Sequence, residues 1–159
     1  MNKKPFDPST DGAKTDFKTV MSYGDYLNID TVLDQQNCIT DAHDEMLFIV
    51  QHQTSELWLK QILHEMLAAR MALETGNMSN MLKMLSRVSR IFEQLNNQWD
   101  VLRTMTPADY THFRDALGPS SGFQSYQYRM VEFILGNRNP AMLKPHAHVP
   151  EVEKMLQLE

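Results

Sequence analysis

The sequence predicts an all-α protein, a multi-helix bundle, on three observations. No proline occurs between Pro8 and Pro107, and the only glycines in that interval are Gly12, Gly24 and Gly76. So few turn residues permit long helices and argue against a many-stranded sheet, which needs frequent turns. Apolar residues also recur at steps of three and four, which is the period of an amphipathic helix.

Composition restricts the class of protein. The chain has 159 residues, of which 42% are hydrophobic and 22% charged, values that are ordinary for one globular domain. The net charge is −5 and the sequence pI is about 5.6, so we expect no binding to nucleic acid or to an anionic membrane surface. The single cysteine, Cys38, has no partner for an internal disulfide and favours a cytoplasmic location. No apolar run is long enough to cross a membrane.

The N-terminal segment differs from the rest of the chain. Residues 1–20 are polar, contain Pro5, Pro8 and Gly12, and show no hydrophobic period. This composition predicts a flexible arm, because the segment has too little apolar surface to offset the entropy lost on ordering. We therefore assign residues 1–20 to the arm and residues 21–159 to the helical part.

The first long helix is predicted from about Asp44 to Glu74, with Gly76 as its C-terminal signal. On a helical wheel its apolar residues occupy several sides, and His52 shares one of these sides with Phe48. A helix that is apolar nearly all round is buried by more than one neighbour. Either the bundle wraps this helix completely, or other subunits of a homo-oligomer cover it.

Two further helices are predicted from periodicity and capping. The second begins near Ser79, because apolar residues recur at steps of three and four as far as Leu102. The third begins after Thr106, a capping residue that is followed by Pro107 and by an acidic residue in the first turn. This third helix stops at Gly118 and the proline after it.

The stretch SSGFQS, at residues 120–125, is predicted to be a loop that leads into a fourth helix. That helix runs through Tyr126, Met130 and Phe133 and ends at Gly136. Pro140 opens a last short helix.

His52 is the first candidate functional residue, because an ionisable ring lies among apolar residues in the middle of the first helix. One interpretation is a core histidine whose ring nitrogens are satisfied by backbone or serine groups. The other is a neutral imidazole that orients the N–H of a ligand in an apolar cavity.

Arg114 is the second candidate. One interpretation is an exposed helix residue, or one that forms a salt bridge with Asp115 or Asp109. The other is a guanidinium that binds a carboxylate with two hydrogen bonds. Tyr110 lies one turn earlier on the same face, and the glycine-containing loop that follows allows a ligand to approach the backbone closely.

The other histidines are weaker candidates. His43, His64 and His112 have no histidine three or four residues away that would complete a metal pair. His146 and His148 lie between prolines and are expected in a solvated loop. The sequence contains no HExxH, CxxC or phosphate-binding glycine motif.

Three stretches, taken together and in this order, resemble the tryptophan 2,3-dioxygenase family. They are YGDYLNID at residues 23–30, HDEMLFIVQHQTSELWLK at 43–60 and FRDALGPSSGFQSYQYR at 113–129. The resemblance runs from about Ser22 to the end of the chain. Members of that family are all-α homotetramers that use haem b and O₂ to convert L-tryptophan into N-formylkynurenine, and the resemblance implies the same fold, cofactor, substrate and assembly here.

The resemblance also implies roles for individual residues. His52 would be the distal, catalytic histidine that faces the indole N–H, and Phe48 would pack on the indole. Arg114 would hold the substrate carboxylate, and Tyr110 would line the pocket. The other substrate-binding positions are Ile49, Val50, Gln51, Ser121 and Gly122, with Tyr23, Tyr26 and Leu27 contributed by a neighbouring subunit.

The family's proximal haem histidine lies in a C-terminal half that this chain lacks, together with a threonine that contacts the substrate. No histidine here matches that iron ligand, so we expect no metal ligand in this chain. The 159 residues are then the N-terminal portion of the enzyme, inactive alone. The alternative is a non-catalytic helical interaction or oligomerisation module derived from the family.

Overall fold

The computed structural model describes residues 7–158, and all regular secondary structure in that range is helical. This confirms the predicted all-α class. The chain divides into two compact units, one that ends at Asn37 and one that begins at Cys38. None of the described helices is long and apolar enough to cross a membrane.

The first unit is built from short helices. Within its described part, a serine–aspartate capping box begins α1, and Asn28, with a φ of 51°, turns the chain into α2. Residues 1–6 of the predicted arm lie outside the described residues, and the flexibility of the arm stays a prediction. The elements are a 3-10 helix at Pro8–Asp11, α1 at Tyr23–Leu27 and α2 at Ile29–Leu33.

The second unit contains the predicted long helices. The first, third and fourth predicted helices are confirmed as α3, α6 and α7, and the predicted last helix is a 3-10 helix followed by α8. In chain order the elements are α3 at His43–Glu74, α4 at Met78–Asn97, α5 at Trp99–Leu102, α6 at Pro107–Arg114, 3-10 helices at Asp115–Leu117 and Gly122–Gln124, α7 at Tyr126–Ile134, a 3-10 helix at Pro140–His146 and α8 at Pro150–Gln157.

A tight turn joins α3 to α4. Gly76 takes a left-handed φ of 73° there. Its N–H donates to the carbonyl of Leu73, and the N–H of Asn77 donates to the carbonyl of Ala72 at 2.7 Å. These two bonds satisfy carbonyls that the end of a helix would otherwise leave free. The turn brings α4 back against α3.

Two apolar clusters hold the second unit together. Ile62, in the first cluster, is 0% exposed, and burial of such a side chain contributes about 1.5–3 kcal/mol. The second cluster ties α7 to α8. The first cluster consists of Leu59, Ile62, Met66, Val88, Ile91 and Val131, and the second of Met130, Phe133 and Leu156.

The described bundle leaves one side of α3 open. Leu57 is 57% exposed and Met71 is 66% exposed, and Met46 and Val50 are also exposed. Complete wrapping of α3 by the bundle, one of the two predicted alternatives, is therefore wrong for the part of the chain described here. Cover by other subunits stays a prediction.

The second predicted helix is shorter than its apolar period indicates. Helix α4 ends at Asn97, and the apolar residues that follow belong to the separate short helix α5. The break comes at consecutive asparagines, which are weak helix formers. At the same point the side chain of Gln98 reaches across to donate to the hydroxyl of Ser55 on α3. Periodicity alone does not reveal this side-chain bond.

A buried carboxylate fastens the segment before α3 to the start of that helix. The side chain of Glu45 is 1% exposed and accepts the backbone N–H groups of Ile39 and Thr40, each at 2.8 Å. The hydroxyl of Thr40 donates to the same carboxylate. The Ile39 N–H, followed by the Thr40 hydroxyl, holds the pKa of Glu45 below its ordinary value.

We expect Glu45→Gln to lower the urea midpoint of unfolding at pH 7 and to matter less in acid. Because its folded-state pKa lies below the ordinary value of 4.5, the carboxylate stabilises the fold above that value. The contribution is lost as the pH falls through the folded-state pKa. Asp44→Asn is the matched control, since it removes the same charge from the same turn of α3. A midpoint difference that stayed constant down to about pH 3 would contradict this role.

Candidate active site

A pocket of about 740 Å³ opens beside the N-terminal half of α3. Helices α3, α5 and α6 form its walls, and the segment between α6 and α7 forms its rim. Its lining includes Phe48, His52 and Glu56 from α3, Trp99 and Leu102 from α5, Tyr110 and Arg114 from α6, and Ser121 and Gly122 from the rim. The structure therefore brings together residues that are far apart in sequence and that the sequence analysis had selected.

An aromatic cluster forms one wall of the pocket. The ring of Phe48 lies 4.1 Å from that of His52, 5.8 Å from that of Tyr110 and 5.5 Å from that of Phe113, measured between centroids. Phe113 is 1% exposed and meets Tyr110 edge-to-face at 5.3 Å. Edge-to-face and tilted contacts at these distances are favourable. The buried Phe113 therefore fixes the positions of the two rings that face the pocket.

The hydrogen bond that His52 makes to the backbone determines which of its ring nitrogens can accept a hydrogen bond from a ligand. Nδ1 lies 2.7 Å from the backbone carbonyl oxygen of Phe48, one turn earlier on α3. A carbonyl oxygen only accepts, so Nδ1 carries the hydrogen in this bond. In the neutral ring Nε2 is then the acceptor. The half-buried imidazole lines the pocket and suits a ligand that presents an N–H.

Arg114 is exposed at the end of α6, and its guanidinium is not paired with an acid. Its Nη1 donates to the carbonyl of Gly118 at 3.0 Å, and the structure of residues 7–158 shows no ion pair to Asp109 or Asp115. Asp109 instead forms a capping box with Thr106, whose hydroxyl and N–H hold the pKa of Asp109 below its ordinary value. The salt-bridge interpretation of Arg114 is therefore wrong for the described chain.

The rim follows directly from Arg114. Gly118 has a φ of 56°, a left-handed value that lets the chain reverse after α6. The hydroxyl of Ser121 then accepts the N–H of Phe123, and the side-chain oxygen of Gln124 accepts the N–H of Ser121. This capping box orders the segment, where a plain loop was predicted, as a 3-10 helix at Gly122–Gln124.

Several predicted site residues lie outside the pocket lining. Val50 is 42% exposed and Gln51 is 7% exposed, and neither residue lines the pocket, nor does Ile49. Their substrate-binding role stays a prediction. In the first unit Tyr23 is 75% and Tyr26 76% exposed, and Leu27 is also exposed. A depression in that unit is lined by polar residues and Leu33 and offers no aromatic surface.

Glu56 is a lining residue that the sequence analysis missed. It lies on α3 one turn after His52, and its carboxylate is half-buried. The amide of Gln127, on α7, donates to the backbone carbonyl of Glu56 at 2.9 Å and to its Oε2 at 2.7 Å. The available signal was the four-residue spacing from His52, which places both side chains on one face.

The expectation of a solvated loop at His146 is wrong. This histidine ends the 3-10 helix Pro140–His146 and is 4% exposed, because Met142 and Leu143 of that helix pack on the cluster between α7 and α8. Burial, together with the nearby charge of Arg129, lowers the pKa of His146. The ring is thus neutral at pH 7 and lies away from the pocket lining.

The pocket lining includes the aromatic surface that a haem cavity needs. A haem site needs apolar walls and an axial ligand from the protein. Phe48, Trp99 and Tyr110 supply aromatic surface, and Ser121 and Gly122 belong to the rim. Across residues 7–158 no group of three or more His, Cys, Asp or Glu side chains is placed to hold a metal ion. The lining thus offers aromatic surface for a flat ligand, and the resemblance assigns no axial iron ligand to this chain.

Fold and pocket together define a class: an all-helical protein with a pocket that combines aromatic rings, an imidazole and a guanidinium. The sequence profile of the tryptophan 2,3-dioxygenase family matches residues 8–155. The chain belongs to that family.

Close relatives share this assignment. The chain is 68% identical over its whole length to the tryptophan 2,3-dioxygenase of Ruegeria sp. (strain TM1040), and covers 57% of that protein. It is 60% identical over its whole length to the enzyme of Bradyrhizobium diazoefficiens, again covering 57%. Over 145 residues, 91% of the chain, it is 59% identical to the enzyme of Pseudomonas aeruginosa, of which it covers 50%. The chain thus spans little more than half the length of these curated relatives.

Proposed function

We propose that the full-length protein is a haem-dependent dioxygenase that inserts both atoms of O₂ across the indole C2–C3 bond of L-tryptophan and releases N-formylkynurenine. One observation carries the proposal: the pocket combines the aromatic pair of Phe48 and Tyr110, the acceptor nitrogen of His52 and the unpaired guanidinium of Arg114. Relatives named tryptophan 2,3-dioxygenase, at 60–68% identity over the whole chain, support it.

In this proposal the aromatic wall and His52 orient the indole. The ring of the substrate packs on Phe48, and its N–H donates to Nε2 of His52. A hydrogen bond of this kind contributes about 0.5–1.5 kcal/mol and also fixes the rotation of the ring. Since His52 is held by the carbonyl of Phe48, its acceptor nitrogen is oriented before the substrate arrives, and little entropy is lost on binding.

Arg114 has the complementary task of binding the α-carboxylate. Among residues 7–158 the guanidinium uses only Nη1, in the bond to Gly118, so its remaining donors are available for two parallel bonds to a carboxylate. Hydrogen bonds to charged groups contribute about 1.5–3 kcal/mol each. The two ends of the substrate are thereby fixed by different helices, α3 and α6.

Haem b would lie against this pocket, near Ser121 and Gly122, and when bound would supply the iron chemistry that activates O₂. The residues of this chain contribute binding and orientation. They hold the indole plane, accept its N–H at Nε2 of His52 and fix the carboxylate at Arg114. An indole ring held in this way exposes one face, and therefore its C2–C3 bond, in a fixed orientation for reaction.

The full-length, haem-loaded ferrous protein tests this function directly. With L-tryptophan and oxygen-18 gas, we expect N-formylkynurenine that carries two heavy oxygen atoms, measured by mass spectrometry. Product with only one heavy atom would contradict a dioxygenase. Absence of product, with no change in the haem spectrum on addition of L-tryptophan, would favour the non-catalytic helical module.

We propose a homotetramer in which Tyr23, Tyr26 and Leu27 of one subunit cover the pocket of another. Exposed aromatic side chains and the open side of α3 favour such an assembly. Light scattering of the full-length protein should give the mass of four chains. A monomeric mass, even at high protein concentration, would contradict the proposal.

A further inference from the structure

We propose that the open side of α3 is an interface at which the α3 helices of two copies of the chain pack antiparallel. The inference rests on the homotetramer of the proposed function and deepens it, because it names the surface that one pair of subunits shares. It begins from the spacing of the residues on that side. They form a seam whose steps alternate between four and three along the helix: Met46, Val50, Gln53, Leu57, Lys60, His64, Leu67 and Met71.

The seam is a separate side of α3. Alternating steps of four and three are the spacing by which one long helix packs along another. The core residues of α3, such as Ile62, pack against α4 and α7, and Phe48 and His52 line the pocket. No seam residue belongs to either set, and all of them are exposed except Gln53, which is half-buried. The described part of the chain thus leaves this mainly apolar seam without packed cover, as a protein–protein contact surface requires.

The order of side chains along the seam suits a second copy of the same helix. The seam spans 25 residues, a rise of about 38 Å. A two-fold axis through its middle brings Met46 of one copy opposite Met71 of the other. Val50 of the first copy then lies opposite Leu67 of the second. An interface between identical subunits needs such a match of the surface with itself, and apolar residues meet at both ends of the seam.

Polar residues in the middle of the seam determine the direction of packing. In the antiparallel arrangement Gln53 lies opposite His64, and amide and imidazole can form a hydrogen bond. Lys60 lies opposite Leu57, which the lysine stem covers while the ammonium reaches water. In a parallel pair each residue would instead face its own copy, so that Lys60 would lie against Lys60. Like charges placed together are unfavourable, and the antiparallel direction is therefore favoured.

The remainder of the full-length protein is the competing occupant, because the chain covers 57% of the length of its relative from Ruegeria. A segment of different sequence would also cover apolar residues. It would not require the two halves of the seam to match each other, and it would not make the seam sensitive to the charge at its centre. These two differences define the experiments.

Cross-linking of the full-length, haem-loaded protein tests the match. With Cys38→Ser as the background, Met46→Cys and Met71→Cys are introduced singly and together and treated with a short bismaleimide. Within one chain the two positions lie about 38 Å apart on a continuous helix, beyond the reach of the reagent. We expect a covalent dimer from the double variant and none from either single variant.

Charge at the centre of the seam provides the second test. Leu57→Lys places a lysine opposite Lys60 of the second copy, whereas Leu57→Glu places a carboxylate there. Both variants remove the same apolar side chain. In light scattering we expect Leu57→Lys to lower the mass from four chains to two and Leu57→Glu to keep the mass of four, because opposite charges attract across the interface.

A tetrameric wild-type protein whose double cysteine variant gave no covalent dimer would overturn the seam and leave the homotetramer intact. Covalent dimers from either single variant would overturn the antiparallel register. A monomeric wild-type protein would overturn the seam and the homotetramer together. Equal losses of thermal stability in Leu57→Lys and Leu57→Glu, with the mass unchanged in both, would show that the protein's own remaining segment covers the seam. The cross-linking result would stand even if Leu57→Lys did not fold.

Discussion

Helix α3 has to satisfy two sets of partners at once, and the second unit is arranged around this constraint. Towards its C-terminal end, Ile62 and Met66 pack against α4 and α7 in the main core. Towards its N-terminal end, Phe48 and His52 face the pocket. Core residues and pocket residues thus lie on the same helix, so the packing of the core determines where the pocket residues are. Protein cores are close-packed and deform little. The packing of α3 against α4 therefore holds the pocket residues of α3 in fixed positions.

The chemistry of the pocket follows from a second constraint, the carbonyl that Phe48 presents to His52. A carbonyl acceptor defines the tautomer, and the tautomer defines the group that the ring can bind. On the other wall, Asp109 is occupied in the capping box of α6, which leaves Arg114 without an acidic partner. Local requirements of helix structure therefore leave one acceptor and one cation available for a ligand.

Much of this arrangement is predictable from sequence because it rests on local rules. Sparse proline and glycine predict the helical class, Gly76 predicts the end of α3, and Thr106 with Pro107 predicts the start of α6. The side of α3 that carries His52 follows from the helical period. Each of these features depends on residues that are at most four positions apart, so it can be recognised from the local sequence.

Features that depend on distant contacts are not predictable in this way. Gln98 bonds to Ser55 across 43 positions, and Gln127 bonds to Glu56 across 71 positions. Neither pair has a periodic or capping signature, so the break before α5 and the place of Glu56 in the pocket lining were not predicted. The burial of His146 also follows from packing between α7 and α8, not from the two prolines beside it.

The central claim is that the acceptor nitrogen of His52 binds the indole N–H of the substrate. It is tested most directly by comparing L-tryptophan with 1-methyltryptophan, which has no N–H to donate, in the wild-type full-length protein and in His52→Ala. The quantity to measure is kcat/KM for both substrates. We expect the substitution to lower kcat/KM for L-tryptophan about tenfold, the loss of one oriented hydrogen bond, and to change that for 1-methyltryptophan little. Equal losses for both substrates would show that His52 does not bind the N–H.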